Sequence, residues 1–270
     1  MRLYTDSIQY HAEIHSKVTG LPHLLLLHGF MGSSEAFRNL IEPLSQFCNP
    51  VTIDLAGHGK TDTPADISLF KTERQVDQIL TVLERFSFEN LYAYGYSMGG
   101  RLLFQLLAHH QTFFKGAVIE SSHCGLQSEE IRKERVKIDE ARAASILENY
   151  SGFVDKWMEL PLFESASKQQ KKEYSTLMKQ QNPNLMAASL RGFGAGVMPS
   201  VCEKLQNLRL PLYLVAGRSD PKYVEVMSAI AKNTGNCALT VVESAGHRVH
   251  ADQPEKLIQI INSFIKNTHV

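Results

Sequence analysis

The segment Gly95-Tyr96-Ser97-Met98-Gly99-Gly100 holds a serine between glycines at the G-x-S-x-G spacing. A serine hydroxyl is weakly reactive until a base takes its proton and an acid orients that base, so the pattern directs attention to a histidine and a carboxylate further along the chain. Glycines at 95 and 99 suit a sharp strand-to-helix turn that lifts the hydroxyl clear of a sheet, where side chains would collide with neighbouring backbone. The helix that follows points free N–H groups at developing negative charge. Asp220, in Ala216-Gly217-Arg218-Ser219-Asp220-Pro221, and His247, in Ser244-Ala245-Gly246-His247, complete the order Ser, Asp, His. Ser97, Asp220 and His247 are therefore the expected catalytic group. Of eleven histidines only His250 lies close enough to compete with His247. Asp220, just before Pro221, also suits a turn or helix cap.

A second segment, Leu27-His28-Gly29-Phe30-Met31-Gly32-Ser33, follows an early apolar run. The backbone N–H groups of Phe30 and Met98 are the expected oxyanion donors, and removing such a donor costs on the order of a hundredfold in rate. The His28 side chain reads as structural. Asp54-Leu55-Ala56-Gly57-His58-Gly59-Lys60-Thr61 ends like a phosphate-binding loop, but Asp54 stands where that motif needs its first glycine and Asp62 breaks a G-x-G-x-x-G reading. A strand-ending loop beside the site is the better account.

These residues need a frame. Short apolar runs at 23–28, 51–55, 91–94, 117–120, 212–216 and 239–242 read as strands, and 35–47, 71–86, 101–110, 223–233 and 253–266 as helices between them. Strands alternating with helices predict an α/β fold with a mostly parallel central sheet flanked by helices. The first twenty residues suggest an antiparallel hairpin at one edge. From about 125 to 200 no convincing strand appears, and helical patterns at 129–147, 153–157 and 165–181 suggest a helical lid. The expected division is 1–124 with 201–270 as the core and 125–200 as the lid insertion.

Twenty-eight acidic and twenty-eight basic residues balance, so the overall field favours neither nucleic acid nor an anionic membrane. Cys48, Cys124, Cys202 and Cys237 lie far apart with no C-x-x-C pair, which argues against a zinc site and a disulfide framework and for inert thiols in a reducing compartment. The N-terminus lacks a continuous apolar segment. A cytoplasmic, monomeric protein acting on a small molecule, without metal or cofactor, is expected.

LLLLHGFMGSSEAF, DLAGHGKT, GYSMGGRL, AGRSD and AGHRVHADQPE together resemble the α/β-hydrolase superfamily over nearly the whole chain. More narrowly, Arg101 directly after the elbow glycines, the stretch GLQSEEIRKERVKIDEA, and the segments VDKWMELPLFES and SLRGFGAG resemble the SHCHC synthases of menaquinone biosynthesis. That resemblance implies a carbon–oxygen lyase that expels pyruvate from SEPHCHC to give 2-succinyl-6-hydroxy-2,4-cyclohexadiene-1-carboxylate. It also implies that Tyr96, Arg101, Arg135 and Trp157 line a pocket for a small polycarboxylate. A further lid cation expected from the family falls near Lys179 or Arg191. The competing readings are an esterase, thioesterase or carbon–carbon bond hydrolase using the same three residues with water, and a ligand-binding module without turnover.

Overall fold

A computed structural model describes residues 1–5, 7–86 and 88–268. Eight strands, β1 (Arg2–Thr5), β2 (Ile8–Ile14), β3 (His23–Leu27), β4 (Asn49–Ile53), β5 (Leu91–Tyr96), β6 (Gly116–Glu120), β7 (Leu212–Gly217) and β8 (Cys237–Val242), form one sheet in the order β1-β2-β4-β3-β5-β6-β7-β8. The first two make the antiparallel edge hairpin, β2 pairs antiparallel with β4, and every later pairing is parallel. The helices are α1 (Arg38–Leu44), α2 (Thr72–Glu84), α3 (Met98–His110), α4 (Glu129–Glu148), α5 (Tyr150–Trp157), α6 (Lys168–Lys179), α7 (Pro183–Phe193), α8 (Pro221–Lys232), α9 (Val249–Asp252) and α10 (Pro254–Thr268).

Successive residues of the central strands feed opposite faces. Leu25, Leu27, Ala93, Ile119 and Leu214 join α2, α3 and α8 in one apolar cluster, whereas Leu24, Leu26, Tyr92, Val118 and Val215 join α1 and α10 in another. Burial on both faces is why these strands read as continuous apolar runs. Leu257, Ile260, Ile261, Phe264 and Ile265 recur at helical spacing, and all of them turn α10 toward the sheet.

Between β6 and β7 the chain passes through α4, α5, α6 and α7, which gather a third cluster around Ile146, Val154, Met178 and Met186. The expected helices stopped at 181, but α7 follows directly. Asn182 caps it by accepting from the Asn184 N–H, and Pro183 occupies the first turn, where its missing N–H costs nothing. Ala188 and Phe193 on α7 join the main core while Ala187 and Leu190 join the third cluster, so this helix sutures the two. The expected helix at 35–47 divides into a 3₁₀ turn, Ser34–Phe37, and α1.

The cysteine expectation needs correction, because Cys124 and Cys202 form a disulfide across 78 residues of chain. The chain returning from the helical insertion passes the exit of β6 before it reaches β7, where the Val201 N–H donates to the Cys124 carbonyl (2.8 Å), and the two cysteine Cα atoms lie 5.1 Å apart. Linear spacing does not reveal that adjacency. Cys48 and Cys237 are free thiols. Among the described residues no helix is long and apolar enough to cross a membrane.

Candidate active site

Ser97 occupies the single residue between β5 and α3 with φ +50°, a left-handed conformation that costs a non-glycine residue energy and must be held by its surroundings. They hold it from both sides. Its N–H donates to the Glu120 carbonyl (3.0 Å), and its carbonyl accepts from the Arg101 N–H (2.9 Å) and the Ser122 hydroxyl (2.7 Å). A Cβ at Gly99 would lie 2.2 Å from the Leu27 carbonyl oxygen, and one at Gly95 would lie 2.8 Å from the Gly100 Cα.

The parallel strands β7 and β8 deliver their loops to the same end of the sheet. The Ser219 N–H donates to the Ala245 carbonyl (2.9 Å), tying the loops together. His247, nearly buried, then places Nδ1 2.6 Å from Asp220 Oδ2 and Nε2 3.1 Å from Ser97 Oγ. An ionised carboxylate only accepts, so the ring proton belongs on Nδ1, which leaves Nε2 able to accept the serine proton. Asp220 divides its oxygens: Oδ1 accepts from the Tyr223 N–H at the start of α8 (3.4 Å). The Tyr223 ring packs 4.7 Å from that of His247.

Gly29 brings the loop after β3 against the elbow, since a Cβ there would lie 2.7 Å from the Tyr96 ring and 3.6 Å from Ser97 Cβ. Among the described residues no acceptor engages the backbone N–H of Phe30 or of Met98, so both remain available. His28 braces this loop. The Leu55 N–H donates to its Nε2 (3.0 Å), fixing the proton on Nδ1 for donation to the Gly29 carbonyl (2.8 Å), and burial lowers its pKa. The loop resembling a phosphate cradle closes on itself. Asp54 accepts from the Ser34 and Lys60 N–H groups (2.7 and 2.8 Å), and Gly59, at φ +58°, sits so close that a Cβ would lie 2.3 Å from the Asp54 carboxylate. Burial would raise the Asp54 carboxyl, but His28 and the donated N–H bonds hold it below the usual range.

Arg101 is buried, donates to the Phe193 carbonyl (2.8 Å) and is pulled down to about 10 by burial and by Arg135. Arg135 is half-buried on α4 and pairs with Asp139 (2.8 Å). Trp157 stacks on Phe153 and meets the Phe30 ring edge-on at 5.9 Å, joining α5 to the loop after β3. The Tyr96 ring lies 5.6 Å from His247 and 4.5 Å from His250. Lys179 and Arg191 are instead engaged by lid acids, Asp155 (2.6 Å) and Glu140 (2.6 Å). His250 is held away from the serine: its Nδ1 bonds Glu120 Oε1 (2.7 Å), and Glu120 Oε2 accepts from the Tyr94 hydroxyl (2.5 Å).

A profile describing the alpha/beta hydrolase fold matches residues 22–254. The chain belongs to the α/β-hydrolase family. Among its relatives, a putative 2-succinyl-6-hydroxy-2,4-cyclohexadiene-1-carboxylate synthase of Bacillus subtilis (strain 168) is 30% identical over 249 residues, covering 90% of this chain and 89% of that protein. The enzyme of that name from Escherichia coli O17:K52:H18 is 27% identical over 257 residues, covering 95% and 98%. The structure of MenH from S. aureus superposes with a TM-score of 0.91 at 26% identity, covering 97% of this chain and 99% of that one.

For an enzyme of the α/β-hydrolase family, several neighbours of the serine went unread in the sequence. Glu120 had a signal, as the one acid ending the apolar run Gly116–Glu120. His123, pushed down to about 3 by burial and by Arg101 and Arg135, and Arg248, directly after His247, had none, because their surroundings come from the lid and from distant loops. Among the described residues no group of His, Cys, Asp and Glu is placed to hold a metal ion.

Proposed function

We propose that this enzyme eliminates pyruvate from SEPHCHC to give 2-succinyl-6-hydroxy-2,4-cyclohexadiene-1-carboxylate, a step of menaquinone biosynthesis. The observation that carries this reading is the pairing of a Ser97–His247–Asp220 hydrogen-bonded line with two neighbouring arginines, Arg101 and Arg135. The names of the relatives support it. In the proposed mechanism His247 takes the Ser97 proton and the alkoxide removes the carbon-bound proton beside the succinyl carbonyl. Negative charge grows on that carbonyl oxygen, which the Phe30 and Met98 N–H groups stabilise. The electrons form the new ring double bond, the carbon–oxygen bond to the enolpyruvyl group breaks, and the leaving group takes up a proton to depart as pyruvate.

Arg101 and Arg135 hold substrate carboxylates, each charge-assisted hydrogen bond contributing about 1.5–3 kcal/mol. Tyr96 and Trp157 line the pocket, and the substrate is a small polycarboxylate turned over by a monomer. The proposed location is the cytoplasm, although the Cys124–Cys202 bond runs against it, since disulfides persist mainly in oxidising compartments.

Incubation with SEPHCHC and measurement of released pyruvate tests the reading. Ser97→Ala, His247→Ala and Asp220→Asn should each lower kcat by about two to four orders of magnitude. Arg101→Ala should lower kcat/KM about 10- to 100-fold. Undiminished turnover by Ser97→Ala would discard the mechanism. A covalent acyl-enzyme on a simple ester, without pyruvate from SEPHCHC, would select the water-using hydrolase.

A further inference from the structure

Arg248 is a buried cation without an anion. Its residue is 8% exposed, its Nε is buried with no hydrogen-bond partner, and among the described residues no carboxylate pairs with it. The acids around it are committed elsewhere. Asp252 accepts from the Gly246 N–H (2.8 Å) and the Ser165 hydroxyl (2.7 Å), Glu120 serves Tyr94 and His250, and Glu173 pairs with Arg38 (3.7 Å). What holds the guanidinium is two rings, Tyr174 on α6 at 3.6 Å from its Cζ and Tyr96 at 6.0 Å. A ring face stabilises the charge but accepts none of the in-plane N–H groups, and an unpaired buried donor is costly.

Arg248 is among the residues that line a cavity of about 360 Å³ between the oxyanion loop, α1 and α6. Neither Ser97 nor Arg101 lines it. Met31, Leu177 and Met178 give it an apolar wall, Lys172 and Gln170 add donors, and of its two carboxylates Glu173 is paired with Arg38 while Glu35 stands at the start of the 3₁₀ turn. A space of this size suits a short-chain organic molecule. We propose that the cavity is a binding site for a small carboxylate-bearing molecule whose carboxylate is received by Arg248, whose planar fork fits a carboxylate through two parallel hydrogen bonds. The site is separate from the Arg101–Arg135 pair and does not depend on the proposed chemistry at Ser97.

Succinate is the probe, titrated calorimetrically into the full chain alongside inorganic phosphate. In Arg101→Gln, where the other arginine pair is disabled, saturable succinate binding should persist. In Arg248→Gln it should weaken at least about tenfold, with Arg248→Lys between the two. Ser97→Ala should bind as the unaltered chain does, so loss of the proposed reaction and loss of this site are separate results. In the unaltered chain the Arg248 Nε–H resonance should shift with succinate along the same saturation curve, a measurement that needs no variant to fold. Wild-type affinity in Arg248→Gln, an Arg248 resonance that ignores succinate, or binding lost only in Arg101→Gln would overturn the site. Phosphate binding more tightly than succinate would overturn its carboxylate assignment.

Discussion

Histidines near the serine illustrate how one residue type takes opposite parts. His247 is positioned to exchange protons, whereas His58 and His123 are kept neutral, each pushed down to about 3 mainly by burial. For His58 the nearby His28 adds to that effect, and for His123 the Arg101 and Arg135 guanidiniums do so. Their pKa values drop on folding from an ordinary 6.5, so as pH falls below 6.5 the unfolded chain takes up protons that the folded one refuses. Their stabilisation is complete above pH 6.5 and drains away toward pH 3, by at most about 1.4 kcal/mol per histidine per pH unit. Thermal melts from pH 7 to 4 should therefore show a falling Tm, and His123→Gln should flatten the decline. An equal slope in that variant would mean that the residue 123 imidazole protonates in the fold.

Among the elements, the β5–α3 turn is the most constrained, because backbone rather than side chains crowds its glycines. Gly99→Ala would press a methyl into the Leu27 carbonyl at 2.2 Å, and β3 has no rotamer with which to yield. The expected cost is about 1–3 kcal/mol in urea denaturation, together with loss of turnover as Ser97 shifts from its base. Gly235→Ala, with nothing within 4 Å of the added methyl, should stay within about 0.5 kcal/mol. The same turn shows why so much could be read beforehand. Strands β3 to β7 announce themselves as apolar runs because both faces of the sheet are covered there, and Ser97, Asp220 and His247 each lie in the turn or loop that follows a strand. Helix α7 was hidden because Asn182-Pro183 reads as a break, although the same pair starts a helix well. Arg248 was silent because its burial depends on Tyr174, which lies far off in α6 and meets it only in the folded chain.

For the molecule as a whole, the Cys124–Cys202 bond matters because of where its ends lie. Closing a loop of that length restricts the unfolded chain and stabilises the fold by about 2–4 kcal/mol. A reductant such as TCEP, or Cys124→Ala with Cys202→Ala, should lower Tm by a matching amount, and an unchanged Tm would show that the bond contributes nothing to stability. Thiol trapping and mass spectrometry on freshly lysed cells would report whether the pair is oxidised where the protein works. The bond also alters the connectivity of the covalent graph. With residues 124 and 202 fused, everything from α4 to α7 becomes a ring attached to the sheet at one point. A protease that nicks this ring severs the backbone without separating the halves, so a clipped chain should migrate as one species on a gel until reductant divides it.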